Sequence, residues 1–341
     1  DKISIINPSR KDAMLSDDVI ANISTATKTF YDMQRQRIAM SNNIIAREKM
    51  GFDMTTSRIL LGEITDIEER AKGIVEGWIE QTSLWNDFYV HVKGIGKVLL
   101  AALITQVKDI RKFDTPSSLC AYFGNTSEYV VGVCDKGFVG GDDHFHGEED
   151  EEDEDVIDAV SGKKAKPHRL IMASDKKLIC RVMKWNKKEL RMDICGGHIT
   201  IVERVKNKAP RLTKNHHYMF NSEGKKVLFK WSTQIIKGGN DCYRKFYYAE
   251  REKQARLHPE LAAQKNGKAI SDRRGHKKLQ KMMLVHFWEL WRLAEGLPVR
   301  APYVQEYLGH TSIITASDIL GAIIEENEAK ARERAAIAAS K

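Results

Sequence analysis

The chain has 341 residues, 42% of them hydrophobic, which is enough apolar content for a sizeable core and enough length for two domains. No run of about 18 apolar residues exists, which excludes a membrane-spanning helix; the polar start "DKISIINPSRKD" has no apolar signal-peptide core, so the expected compartment is the cytoplasm. The formal net charge is +8, yet residues 142–158, "DDHFHGEEDEEDEDVID", hold eleven carboxylates and no Lys or Arg, so the remainder carries +19, an excess that suits a polyanionic partner such as nucleic acid or simply a basic solvated surface.

Residues 16–50 open with Ser-Asp-Asp, a capping signal, and then repeat apolar residues at three- and four-residue spacing through Val19, Ile20, Ile23, Phe30, Met33 and Ile38. The spacing predicts a long helix. After a Gly-Phe-Asp break, residues 55–90 repeat the pattern through Ile59, Leu60, Ile64, Ile67, Ile74, Trp78 and Ile79, with charges of both signs between. Residues 1–90 therefore read as a coiled-coil-like helical hairpin, the kind of arm that serves as a structural element or joins copies of a chain into a homo-oligomer.

Next comes "HVKGIGKVLLAALITQV". Gly94-Ile95-Gly96 precedes an almost wholly apolar run from Val98 to Val107, which predicts a tight turn and then a buried helix. "KDIRKF" breaks that helix, and "TPSSLCAYFG" predicts a further short one with Pro116 at an early position and its end at Gly124. Residues 91–125 thus have the form of a helix-hairpin-helix core. Glycines let a phosphate approach the backbone, the first N–H groups of the helix point outward with the helix dipole behind them, and Lys93 and Lys97 flank the turn. Such a contact through Lys93, Gly94, Ile95, Gly96 and Lys97 positions a duplex and reads no bases. The plainer reading is that both glycines only permit two helices to cross closely.

Residues 126–214 change character. Short β-branched runs separated by Gly, Asn and Lys pairs predict a small β-rich insertion, and residues 142–158 between them read as a disordered acidic loop. Helical pattern returns over 215–341, a basic region that includes "EGKKVLFKWSTQIIK", "DCYRKFYYAEREKQARL", "GHKKLQKMMLVHFWELWRLAEG" and an Ala/Glu/Arg-rich tail from residue 317. "LPVRAPYVQEYLGH" between them is a Pro-punctuated extended segment. "YRKFYYAEREKQAR" sets an aromatic stripe beside Arg244 and Lys245, suited equally to gripping phosphate and to an amphipathic core helix. "SDRRGHKKLQK" clusters Arg273, Arg274, Lys277, Lys278 and Lys281 as a further phosphate-contacting face, whereas His286, Trp288 and Trp291 read as core.

Residues 92–124, "VKGIGKVLLAALITQVKDIRKFDTPSSLCAYFG", resemble the core of the C-terminal domain of the DEDD-type insertion-sequence transposases, the family that includes the Piv DNA invertases and the bridge-RNA-guided recombinases. The likeness is carried by the Gly-Ile-Gly turn, by Ile110 to Phe113, and by Ala121, Tyr122 and Gly124. More diffuse likeness extends to "FNSEGKKVLFKW", "YRKFYYAEREKQ", "GHKKLQKMMLVHFWELWR" and "GLPVRAPYV". The resemblance implies DNA recombination within a mobile element, with DNA as partner and RNA as a second candidate. In the family it also implies an RuvC-like domain with four acidic metal ligands and a serine nucleophile. The helical N-terminal ninety residues offer no such domain, and the position nearest the family's serine is Ser222, beside Lys225 and Lys226. The reading favoured for Ser222 is the N-cap of the helix that follows, with Glu223 in its first turn.

Two functions follow as expectations for a mainly α protein. One is a recombinase that cuts strands, with Mg2+ as the cofactor if it does. The other is a non-catalytic, architectural DNA binder; a self-assembling structural protein is a third. The five cysteines, Cys120, Cys134, Cys180, Cys195 and Cys242, are odd in number and scattered, which fits reduced thiols. No close-spaced zinc set is present, and Asp142, Asp143, His144 and His146 suit at most a weakly held ion, so no structural metal is expected.

Overall fold

A computed structural model describes residues 17–126, 128–134, 183–186, 191–194, 198–206, 216–218, 220–260, 264, 267–300 and 314–339. The protein is mainly α-helical. It divides into two compact units, one built from residues 1–119 and 226–341 and the other from residues 120–225. The acidic tract 142–158, most of the 297–310 segment, and Cys180 and Cys195 lie outside the described residues.

The first unit opens with helix α1, Asp17–Glu48, and α2, Thr55–Ile79, packed as an antiparallel hairpin. Ile23, Phe30 and Ile44 face inward from α1 at multiples of seven residues, with Arg37 filling the remaining step of that repeat. Glu68, Ala71, Val75 and Ile79 meet them from α2. The inward carboxylate of Glu68, only 5% exposed, is matched by Arg37, whose Nε lies 2.5 Å and Nη2 3.3 Å from its two oxygens. A fork-to-fork pair of this kind satisfies both carboxylate oxygens inside an otherwise apolar seam. At the tip, Gly51 takes a φ of +87°, its N–H donates to Glu48 O and that of Phe52 to Arg47 O, so the last carbonyls of α1 are satisfied by a turn only glycine adopts freely.

The sequence predicts that the second helix runs to residue 90, but it stops at Ile79. Thr82 Oγ1 donates to Ile79 O at 2.7 Å and Asn86 Nδ2 to Glu80 O at 2.8 Å, so side chains take the carbonyls that a continuing helix would have used. A π-turn, Leu84–Phe88, and a 3-10 turn, Tyr89–His91, follow and bury Leu84, Phe88 and Tyr89.

Helix α3, Lys97–Val107, is buried continuously from Leu100 to Thr105 and packs on both α1 and α2. Lys108 ends it with a φ of +64°, and a 3-10 turn, Ile110–Lys112, leads to α4, Pro116–Tyr122. Helices α5, Ser222–Gly238, α6, Asp241–Leu257, α7, Gly267–Ala294, and α8, Ala316–Ala339, complete the helical set. α7 starts eight residues before the "GHKK" stretch where the sequence places it. Gly275, the weak point for a helix there, is accommodated because the Tyr247 ring of α6 packs where its Cβ would be, 2.7 Å away. Trp231 of α5 and Phe287, Trp288 and Trp291 of α7 are buried in the core, with Tyr89 and Phe287 each edge-on to Trp231. Their polar edges are used: Trp231 Nε1 donates to Leu99 O at 2.9 Å, and Phe113 O accepts from Trp288 Nε1 at 2.6 Å and Arg292 Nη1 at 3.1 Å.

In the second unit, β1, Glu128–Cys134, pairs antiparallel with β4, Ile199–Lys206, and β5, His216–Tyr218, with an irregular step at Val131 and Gly132. β2, Met183–Asn186, and β3, Arg191–Ile194, form a separate antiparallel pair.

Candidate nucleic-acid interface

The turn at Gly94 and Gly96 is held from behind. Lys93 N–H donates to Asn240 Oδ1 at 2.8 Å; Asn240 Nδ2 donates to Asn327 Oδ1 at 3.1 Å; Asn327 Nδ2 donates to His91 O at 2.9 Å. Asn240 is fully buried, so this chain of amides fixes the turn against the start of α6 and against α8. A second clamp joins the same two helices: Lys330 reaches Asp241 at 2.9 Å and Glu326 at 2.7 Å; Arg244 and then Lys330 hold the Asp241 carboxyl below its usual range, and Lys330 does so for Glu326 against its partial burial. Ile95, 3% exposed, anchors the turn in the core.

The two glycines differ in what they are for. Gly94 has a φ of +93°, and a Cβ on it would lie 3.1 Å from Gln234 O on α5, so the fold itself requires glycine. Gly96 is the N-cap of α3 with φ −86° and ψ 166°, an ordinary extended conformation, and a Cβ on it would meet nothing within 4 Å. Neither backbone nor packing demands glycine at 96. No side chain caps α3, and among the described residues no acceptor takes the N–H groups of Gly96, Lys97 or Val98. The result is an open helix N-terminus, at an exposed residue, where the helix dipole and free N–H groups favour an anion.

The basic residues singled out from sequence are not equally available. Lys97 is bound to Glu80 and lies 5.5 Å from the centre of the Trp85 ring, so its charge is largely committed. Arg244, one turn along α6 from Asn240, pairs with Asp241, while Lys245 is exposed. Lys225 donates to Gly124 O at 3.3 Å and covers the Phe220 ring, a structural task within the second unit; Lys226 is exposed. On α7, Arg273 and Lys278 are exposed, Arg274 is held by Gln254, and burial lowers the pKa of Lys277. The contacts of Asp272 and Gly275 with Tyr247, and of Arg274 with Gln254, set this α7 cluster beside the part of α6 that lies about 10–20 Å along the helix from Asn240. Lys93 with Gly94 to Gly96 and the start of α6 are brought together; the α7 cluster forms a separate basic strip.

Ser222 is not the cap of α5. Asn221 Oδ1 accepts the N–H of Gly224 at 2.9 Å, which makes Asn221 the capping residue and puts Ser222 at the first helical position. Asparagine wins because its longer amide reaches the third N–H while its own N–H and Nδ2 are secured by Tyr122. No general base holds the Ser222 hydroxyl among the described residues.

One cluster was not legible in the sequence. Ser232 Oγ lies 2.8 Å from His276 Nδ1, Gln280 Nε2 donates to that oxygen at 3.1 Å, and Asp272 sits 3.7 Å from His276 Nε2 while accepting from Tyr247. Burial lowers the pKa of His276 and Asp272 pulls it back. The order Ser-His-Asp matches that of a hydrolytic triad, but Ser232 has no exposed surface, so the cluster ties α5 to α6 and α7. Asp272, His276 and Gln280 stand four residues apart on α7, but Ser232 lies 40 or more positions before them, and no local pattern announces that pairing. Among the described residues no three His, Cys, Asp or Glu side chains group closely enough to hold a metal, and no helix is long and apolar enough to cross a membrane. No protein-family model, curated protein or solved structure matches the chain.

Proposed function

We propose that the protein binds duplex DNA through backbone phosphates, using the open N-terminus of α3 at Gly96, with Lys93 and the start of α6 at its side, and the α7 strip of Arg273 and Lys278 as a second contact. The observation that carries this reading is the unforced glycine at position 96. Serine, threonine, asparagine or aspartate would cap α3 better, and the space for such a side chain is empty, so what the glycine preserves is access to the N–H groups from outside. A net charge of +19 outside the acidic tract supports a polyanionic ligand.

The binding reading is favoured over strand cleavage because Ser222 has no base to activate it and no metal-binding group of carboxylates accompanies it among the described residues. The resemblance of residues 92–124 to the transposase C-terminal domain is what supports extending this proposal to an accessory or architectural part in DNA recombination.

Substituting Gly96→Asp separates the proposal from a plain turn. Aspartate is a preferred N-cap and fits the φ and ψ found there, so thermal stability should hold or rise. Its carboxylate occupies the anion position, so affinity for a linear duplex at low salt should fall by about tenfold or more. Equal duplex affinity for wild type and Gly96→Asp would overturn the reading.

A further inference from the structure

An exposed flank of α2 carries an apolar row with no partner among the described residues. Leu60, Ile67 and Ile74 are 50%, 42% and 53% exposed and stand seven residues apart, one position before the inward residues Glu68 and Val75. A seven-residue repeat of this kind keeps its side chains in line only along a second, supercoiling helix. Between these residues lie Glu63 and Arg70, both exposed and of opposite charge.

We propose that this face binds a second copy of the chain, α2 against α2, antiparallel about a two-fold axis at Ile67. The order of side chains is self-complementary under that operation. Leu60 of one copy meets Ile74 of the other, Ile67 meets itself, and Glu63 comes within one position of Arg70 of the second copy, twice by symmetry. A helix of 25 residues gives an interface about 37 Å long. α1 also shows exposed apolar side chains, Ile38 and Ile45, but these follow the inward positions 37 and 44 instead of preceding them. In an antiparallel pair of helices, opposite offsets fall on opposite faces of the hairpin, so one two-fold contact cannot use both rows. The α2 row is longer and alone carries the matched charges.

Sedimentation analysis of the full chain in the micromolar range, with and without single substitutions, tests the assignment. Wild type should be a dimer, Ile67→Glu a monomer with unchanged helical circular dichroism, and Ile38→Glu still a dimer. Glu63→Arg and Arg70→Glu should each weaken self-association by about tenfold, while an equimolar mixture of the two variants regains it, because each mixed pair restores two opposite-charge contacts. A monomeric wild type, a dimer that survives Ile67→Glu, or a mixture no tighter than its components would overturn it.

Discussion

Lys93 and Asn240 stand 147 positions apart, and the backbone N–H of the first donates to the side-chain oxygen of the second at 2.8 Å. Asn240 has no exposed surface, and its Nδ2 donates in turn to Asn327 Oδ1. The turn that presents Gly96 is therefore oriented by α6 and α8 as well as by its own Gly94 and Ile95.

Removing that amide tests the coupling. Asn240→Ala leaves the N–H of Lys93 and the carbonyl of Asn327 without partners and should cost about 1–3 kcal/mol of stability. At a temperature where the variant is still folded, its duplex affinity should also fall, since the open N–H groups lose their fixed direction. Denaturant titration and fluorescence anisotropy read the two effects separately.

Gly94 and Gly96 should behave differently when replaced. Gly94→Ala forces alanine to a φ of +93° and against Gln234 O at 3.1 Å, a combination expected to lower stability by about 1–3 kcal/mol. Gly96→Ala, in open space, should stay within about 0.5 kcal/mol of wild type. Equal loss in both, measured by urea unfolding, would show that position 96 is constrained by packing after all.

Within the hairpin, Glu68 is the side chain whose neutralisation matters. Arg37→Met strands its buried carboxylate and should destabilise by about 1–3 kcal/mol, less than for a fully enclosed pair because Arg37 is partly exposed. The double variant Arg37→Met with Glu68→Leu should recover most of that loss, since it completes the apolar repeat. A double-mutant cycle on melting temperature measures the coupling.

Acid should weaken the fold through His286. Buried between Tyr243 and Ile314 O, it has its pKa pushed down to about 4, against 6.5 when unfolded. The unfolded chain therefore binds the extra proton first, so stability is full above pH 6.5 and falls as pH drops from there to about 4, by about 3 kcal/mol at most for this group. His276, also lowered by burial, acts in the same direction. The difference in unfolding free energy between wild type and His286→Gln, followed from pH 7 to pH 4.5, should shrink steadily as pH falls.

The helical plan was legible because it is local. Spacing of three and four residues marks α1 and α2, a continuous apolar run marks α3, composition marks the tail helix, and the turn before α3 is written in two glycines. Boundaries that depend on side chains reaching back to the backbone were not: Thr82 and Asn86 end α2 early, Asn221 displaces Ser222 as cap, and Tyr247 lets α7 run through Gly275. The availability of charge was not legible either, since only the fold commits Lys97 to Glu80 and Lys225 to Gly124 while leaving Arg273 and Lys278 outside.

Sequence alone thus determined where helices form, that the chain outside one acidic tract is strongly basic, and that a Gly-Ile-Gly turn opens a buried helix, because periodicity and composition act over a few residues. Only the tertiary structure decided which glycine serves the fold and which leaves a helix end open, since that depends on Gln234 lying behind one and nothing lying before the other. It likewise decided that the apolar residues of α2 split into an inward set, Ala71, Val75 and Ile79, and an exposed row, Leu60, Ile67 and Ile74, because which side of a helix is buried is fixed by what packs on it.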